Sequence, residues 1–192
     1  MSGSGFHVHG PHDHELEHAA QHGGKDRFAG TIAVMTAILA TIGALFAYMG
    51  GATQANAGLY KNNAAIKKTE ASNQWNYYQA KSSKQNLAEL AMALVPEDRK
   101  AGYKDEVERY KKEKAEIKTG AEKLEAEAKA WDEKSDQQMH QHHRWAQATT
   151  ALQISIALAA IALLTRRKWL EYGMFGVAGI GVVLGAAAAL HL

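Results

Sequence analysis

The sequence predicts an all-α protein: three transmembrane helices, with a long antiparallel coiled-coil helical hairpin inserted between the first and the second. Three observations carry this. Apolar residues fall into the blocks Thr31–Met49, Ala146–Thr165 and Leu170–Leu190, where Glu171 is the single carboxylate and no Lys or Arg occurs. Charged residues concentrate in Glu97–Arg144, which holds more than half of the chain's acids and more than half of its bases. Finally, only 2 prolines interrupt 192 residues, and one of them, Pro96, stands between two long helical patterns.

The first membrane helix is assigned to residues 28–51. A bilayer core about 30 Å thick needs about 20 apolar residues at about 1.5 Å rise each. Ile32, Val34, Ile38, Leu39, Ile42, Leu45 and Phe46 are spread all round this helix, as lipid exposure requires. Ala55-Asn56-Ala57 has the small-x-small form of a signal-peptide cleavage site. The apolar stretch is longer than the roughly 7–15 residues of a signal core, so a retained anchor is expected.

The second and third membrane helices are assigned to residues 145–165 and 169–192, joined by the basic turn Arg166-Arg167-Lys168 at 166–168. So short a connection makes them an antiparallel hairpin. Trp145, Trp169 and Tyr172 sit where aromatic rings favour the membrane–water boundary. Short basic loops favour the cytoplasm, which places this turn, together with Lys25 and Arg27, on that side. Lys61, Lys67, Lys68 and Arg144 flank the opposite side, but they belong to a long segment, whose charge bears little on orientation.

Polar and small residues inside these spans have packing roles. Glu171 lies four residues after Arg167, within reach of that guanidinium and of lipid headgroups. Gln153 and Ser155 are expected to hydrogen-bond to a neighbouring helix. Gly173, Gly176 and Gly179 recur at every third position, and Gly181, Gly185 and Ala189 give small-xxx-small spacing. Such positions let backbones approach closely, so Gly173, Gly176, Gly181 and Gly185 are expected to pack between helices of different subunits.

Residues 52–144 form the extramembrane hairpin, with its turn near 95–99. Pro96 followed by Glu97 and Asp98 is a helix-start signature. Downstream, Tyr103, Val107, Tyr110, Lys114, Ile117, Ala121, Leu124, Ala128, Trp131, Ser135, Gln138 and His142 alternate in steps of four and three. A 3.5-residue period sustained this far is the pattern of a coiled-coil seam, with Lys114, Ser135 and Gln138 as polar interruptions. The preceding arm offers two stripes. One ends in Leu87, Leu90, Ala91 and Leu94 but carries Asn62, Asn73, Asn76 and Ser83; the other comprises Tyr60, Ala64, Ala71, Trp75, Tyr78 and Ser82. One hairpin has too few faces to cover Trp75, Tyr77 and Tyr78 together, so these rings are expected at a contact between subunits.

Several function classes are disfavoured. The net charge of +2 provides no basic field for nucleic acid. With 0 cysteines there is no disulfide, thiolate zinc site or cysteine nucleophile. The segment 1–27 is a His-rich tail: His7, His9, His12, His14, His18 and His22, interleaved with Asp13, Glu15 and Glu17. Imidazoles at this density are candidate ligands for a divalent transition metal (Zn, Ni, Cu or Co). His14-Glu15-Leu16-Glu17-His18 also fits the H-E-x-x-H pattern of zinc proteases, but no domain surrounds it to build a substrate cleft. His140, His142 and His143 form a second cluster, read as a solvated helix end beside the second span.

Two segments carry a family resemblance: Val8-His9-Gly10-Pro11-His12-Asp13-His14-Glu15 and Gln74-Trp75-Asn76-Tyr77-Tyr78-Gln79-Ala80-Lys81-Ser82. Together with the single-plus-paired membrane helices, they resemble the bacterial integral membrane proteins of domain of unknown function family 4337. The resemblance implies an integral membrane protein and carries no activity or catalytic residue with it; the expected location is the bacterial inner membrane. The expected function is a non-enzymatic, homo-oligomeric membrane scaffold with its N-terminus cytoplasmic and its stalk periplasmic. Its partners are then the lipid bilayer and further copies of itself, with no nucleic acid and no small-molecule substrate. A metal-sensing or ion-conducting assembly using the tail is the alternative. Calorimetric titration of Zn, Ni and Cu into the full chain and into a chain lacking residues 1–26 separates the two. Heat of binding that disappears with the tail is expected if the tail holds metal; identical profiles remove it.

Overall fold

The computed structural model describes residues 27–191. The six histidines proposed as metal ligands, His7, His9, His12, His14, His18 and His22, lie outside the described residues. The described chain is three helices: α1 (Arg27–Leu94), α2 (Glu97–Thr165) and α3 (Lys168–Ala189). No strand occurs among the described residues. They divide into two compact units, one formed by residues 27–50 with 143–191 and the other by Gly51–His142.

Each break in helix has a local cause. Between α1 and α2, Pro96 lacks an N–H to continue the ladder and disfavours helical backbone at Val95. Val95 N–H still donates to Ala91 O, and Arg99 N–H donates to Pro96 O, closing one helix and opening the next within two residues. Glu97 and Asp98 then occupy the first turn of α2, where its unpaired N–H groups favour negative charge. Between α2 and α3, Arg166 adopts the left-handed region at φ 53 while its N–H donates to Ala162 O. Arg167 is extended, and its carbonyl accepts from Leu170 N–H.

The unit of residues 27–50 and 143–191 contains three helical segments, each with a stretch long and apolar enough to cross a membrane. Only 17%, 28% and 28% of those most apolar windows is buried. The interior that exists is narrow. Ile32, Ala159, Ala162, Leu170 and Met174 form one cluster, and Leu39, Leu152 and Ala178 a second. Alanines at 159 and 162 and glycines at 181 and 185 keep the backbones close, and close contact holds helices together where lipid supplies no hydrophobic drive. Ser155 is fully buried and donates its hydroxyl to Met174 O at 2.8 Å, the interhelical bond its position implied, whereas Gln153 is exposed. Trp145 is buried, with its ring 5.2 Å from that of Phe46, while Trp169 and Tyr172 project outward.

In the unit Gly51–His142, α1 and α2 meet along repeating small residues. Ala57, Ala64 and Ala71 on α1 are buried seven residues apart, as are Ala121, Ala128 and Ser135 on α2. Partner numbers fall on α2 as they rise on α1: Ser135 donates to Ala57 O, Asp132 pairs with Lys61, and Glu113 pairs with Lys81. Every position of the α2 stripe from Tyr103 to His142 is buried or half-buried. Of the two α1 stripes, the one through Tyr60, Ala64, Ala71, Trp75 and Tyr78 turns toward α2. The leucine-ended stripe stays outside, with Leu87, Leu90 and Leu94 exposed. Alanine at the contact allows an axis separation near the short end of the 8–10 Å range, which leucine at those positions prevents.

The four glycines predicted to pack divide into two pairs. A methyl group at Gly185 would overlap the Phe46 ring, and one at Gly181 would lie 2.9 Å from Leu152 Cδ2 and 3.3 Å from Ala148 O. At Gly173 and Gly176 nothing among the described residues lies within 4 Å of an added methyl. Gly185→Ala must push Phe46 off Trp145, and we expect it to destabilise by about 1–3 kcal/mol. Gly176→Ala adds helix propensity and should hold or raise stability, by at most about 1 kcal/mol. Melting of detergent-solubilised protein by circular dichroism orders the two; equal melting temperatures would contradict the close approach at Gly185.

Candidate functional site

Within Gly51–His142, an open groove of about 760 Å³ runs beside the α1–α2 contact. Its floor is small: the buried seam alanines Ala64 and Ala71 with their exposed neighbours Ala65 and Ser72 from α1, and Ala128 from α2. Its rim is charged, with Lys61 and Lys68 on α1 and Glu125, Lys129 and Asp132 on α2. Trp75 stands at one end and donates its indole N–H to Glu125 Oε1 at 2.8 Å. At the other end Lys61 Nζ lies 2.5 Å from Asp132 Oδ1. Both carboxylates are thus engaged across the helix pair. The groove's distinctive surface is an alanine floor flanked by amides, Asn76 and Gln79, which suits a close-packed side chain or helix.

The aromatic segment splits between two environments. Trp75 and Tyr78 face α2, edge to face at 5.6 Å, and the Tyr78 ring lies 4.9 Å from Lys114 Nζ. Lys114 also donates to Gln85 Oε1 at 3.2 Å, so the lysine that interrupts the α2 seam is held by a ring and an amide. Tyr77 points elsewhere and is 51% exposed, its ring met by Lys81 at 5.1 Å. The reason is helical spacing: positions 75 and 78 share a face that position 77 does not. Tyr60 meets Trp131 at 5.6 Å, a pairing that neither stripe alone pointed to.

The other sequence-predicted candidates belong to different units. Gly173, Gly176, Gly181 and Gly185 belong to the membrane-type unit, and Trp75, Tyr77 and Tyr78 to the other. Among the described residues no group of three or more His, Asp or Glu side chains is arranged to hold a metal ion. Sequence reading missed the groove and its rim residues Lys61, Glu125 and Asp132. The signal that locates it is the seven-residue recurrence of alanine on both arms, which thins the pair along one edge.

The model of one family, described as a domain of unknown function (DUF4337), matches residues 28–191 of the chain. No curated protein and no solved structure matches it.

Among the described residues, the ion pair between α1 and α2 with the least exposed side chains is Lys81 with Glu113. Lys81 Nζ lies 2.5 Å from Glu113 Oε2, with side chains 15% and 33% exposed. Arg109 Nε approaches the other carboxylate oxygen at 3.7 Å. Lys81, by hydrogen bond and charge, holds the Glu113 carboxyl below its ordinary 4.5, with Arg109 and Lys84 adding to the effect and partial burial opposing it. Glu113 and then Tyr77 hold the Lys81 ammonium above its ordinary 10.5. A depressed carboxyl contributes stability above its unfolded pKa and loses it as pH falls through the folded one. A raised ammonium contributes below its unfolded pKa and loses it as pH rises through the folded one. The pair therefore holds the helices together between those limits and weakens below pH 4.5 and above pH 10.5. Glu113→Gln should lower the melting temperature at neutral pH and flatten its decline on acidification. A variant whose acid dependence parallels that of the unaltered chain would contradict the assignment.

Proposed function

The chain belongs to the DUF4337 family, and from that premise we propose that it is a non-enzymatic, homo-oligomeric scaffold of the bacterial inner membrane. In this reading residues 27–50 and 143–191 lie in the bilayer, and residues 51–142 form a coiled-coil stalk on the periplasmic side, with the N-terminus cytoplasmic. The observation that carries it is the outward-facing apolar surface of the first unit. Ile38, Leu45, Ile154, Leu164, Val183 and their neighbours are exposed there, and exposed apolar patches beyond a few hundred Å² mark membrane or protein contact. The 22 residues of α3 give about 33 Å of helix, which matches a hydrocarbon core of about 30 Å.

Self-association is supported by what the chain leaves uncovered. Gly173 and Gly176 offer an open small-residue surface on α3. Tyr77, Leu87, Leu90 and Leu94 are exposed on the unit Gly51–His142, as are Leu59 and Ile66. The groove beside the α1–α2 contact has the floor of a helix-packing surface, and its carboxylates are engaged by Lys61 and Trp75. The metal-sensing or ion-conducting alternative rests on the histidines of residues 7–22 and is tested by the titration described above.

Native mass spectrometry of the protein released from detergent micelles tests the scaffold reading. We expect a discrete integer multiple of the 20.9 kDa chain. A single species at that chain mass, at native expression level, would contradict it.

A further inference from the structure

A second seam runs along residues 59–94 of α1, on the side that α2 leaves open. Leu59, Ile66, Asn73, Ala80, Leu87 and Leu94 recur every seven residues, and every one is exposed. The positions three residues on, from Asn62 through Asn76 to Leu90, are exposed as well. Over these 36 residues apolar side chains at the two ends, Leu59 and Ile66 at one and Leu87, Leu90 and Leu94 at the other, enclose a polar middle of Thr69, Asn73, Asn76 and Ser83 at the three-and-four spacing of a coiled-coil face. In this chain α2 lies on the other side, against Ala57, Ala64 and Ala71, so nothing among the described residues covers it.

The composition of this face separates it from the rest of the unit. Residues flanking it on one side, Ala65, Ser72, Gln79 and Asn86, are neutral, and on the other side Glu70 and Lys84 are the charges between Asn63 and Ala91. The exposed face of α2 is dense in Glu and Lys by contrast, paired along the helix as in Lys118–Glu122 and Lys129–Glu133. Depletion of charge with leucine retained is the composition of an interface centre. The hydroxyls of Thr69 and Ser83 donate to carbonyls one turn back in their own helix, so they demand no partner. The Asn73 and Asn76 amides make no hydrogen bond among the described residues, and they sit in the middle of the seam.

We propose that this face, Leu59 to Leu94, is the surface on which a second copy of the chain docks, α1 against α1 in parallel and in register. The proposal rests on the homo-oligomeric membrane reading and assigns its contact. Two copies held in one bilayer by the same spans have their α1 helices running the same way. Parallel pairing then sets equivalent positions opposite each other, so Asn73 meets Asn73 and leucine meets leucine. A buried asparagine pair of this kind fixes register and favours two strands, while a slip by one heptad sets amide against Ile66 or Ala80. A neutral face has no charge pattern to select a charged partner. Over 36 residues the strip is about 54 Å long and about 10–12 Å wide. That offers roughly 600 Å² per copy, near the roughly 800 Å² per partner of stable interfaces, before membrane helices add to it.

The absence of cysteine from the chain makes the test direct. Asn73→Cys and Leu87→Cys are introduced singly in the full chain, with Lys118→Cys on the exposed face of α2 as control, and native membranes are oxidised. A disulfide requires Cα atoms about 4.4–6.8 Å apart, so the seam positions should give roughly tenfold more cross-linked dimer than the control. Dimer at the control equal to that at the seam overturns the proposal. So does its absence at 73 and 87 while native mass spectrometry of the same variants shows an oligomer, an outcome that leaves the scaffold reading standing. A monomeric mass overturns both.

Discussion

Side chains such as Leu45, Leu164 and Val183 lie largely outside the packed interior of their unit, on helices whose most apolar windows are mostly unburied. In water each Å² of that surface costs about 25 cal/mol, and most of each window is not buried within the described residues. This constraint settles what the remaining residues have to do. Where lipid solvates the outside of a helix, oil-to-oil transfer no longer drives association, and contact has to come from close packing and hydrogen bonds. The interior of residues 27–50 and 143–191 is built accordingly: alanine at 159 and 162, glycine at 181 and 185, and the Ser155 hydroxyl on Met174 O.

Residues 51–142 face the opposite condition and solve it differently. Their contact is long and thin, with alanine at the centre and charge at the edges. Ion pairs such as Lys67–Glu127 and Lys61–Asp132 bridge α1 and α2 at the rim. Exposed pairs contribute about 0–1 kcal/mol each, so the small-residue seam rather than the rim sets how closely the helices lie. A seam of alanine buries less apolar area per turn than one of leucine. The leucines of α1 at 87, 90 and 94 face outward and add nothing to that contact.

Much of this was legible in the sequence, because the period of a stripe is a one-dimensional property. The three apolar blocks, the Pro96 break and the α2 stripe from Tyr103 to His142 lie where their spacing put them. The first arm was ambiguous for a physical reason: it carries two heptad stripes, and leucine at 87, 90 and 94 outweighs alanine at 57, 64 and 71 on any hydrophobicity scale. Only geometry shows that the alanine stripe faces α2. The aromatic cluster was half legible. Trp75 and Tyr78 are a helical turn apart and share a face, but the Glu125 carboxylate that receives the Trp75 indole lies fifty residues away on another helix. The glycines of α3 look alike in sequence, and which of them meets Phe46 depends on a helix more than a hundred residues earlier.

The central claim is that lipid, rather than protein or water, surrounds the apolar unit. Tryptophan reports on this directly, since the chain has 4 and they fall in different settings. Trp169 is 64% exposed beside the α2–α3 turn, and Trp131 lies in the charged arm against Tyr60. Single-tryptophan variants keeping Trp169 or Trp131 are reconstituted into vesicles of brominated lipid, and their fluorescence is compared with that in unbrominated lipid. Strong quenching at Trp169 with little at Trp131 is the predicted result. Equal emission from Trp169 in both lipids would contradict the account.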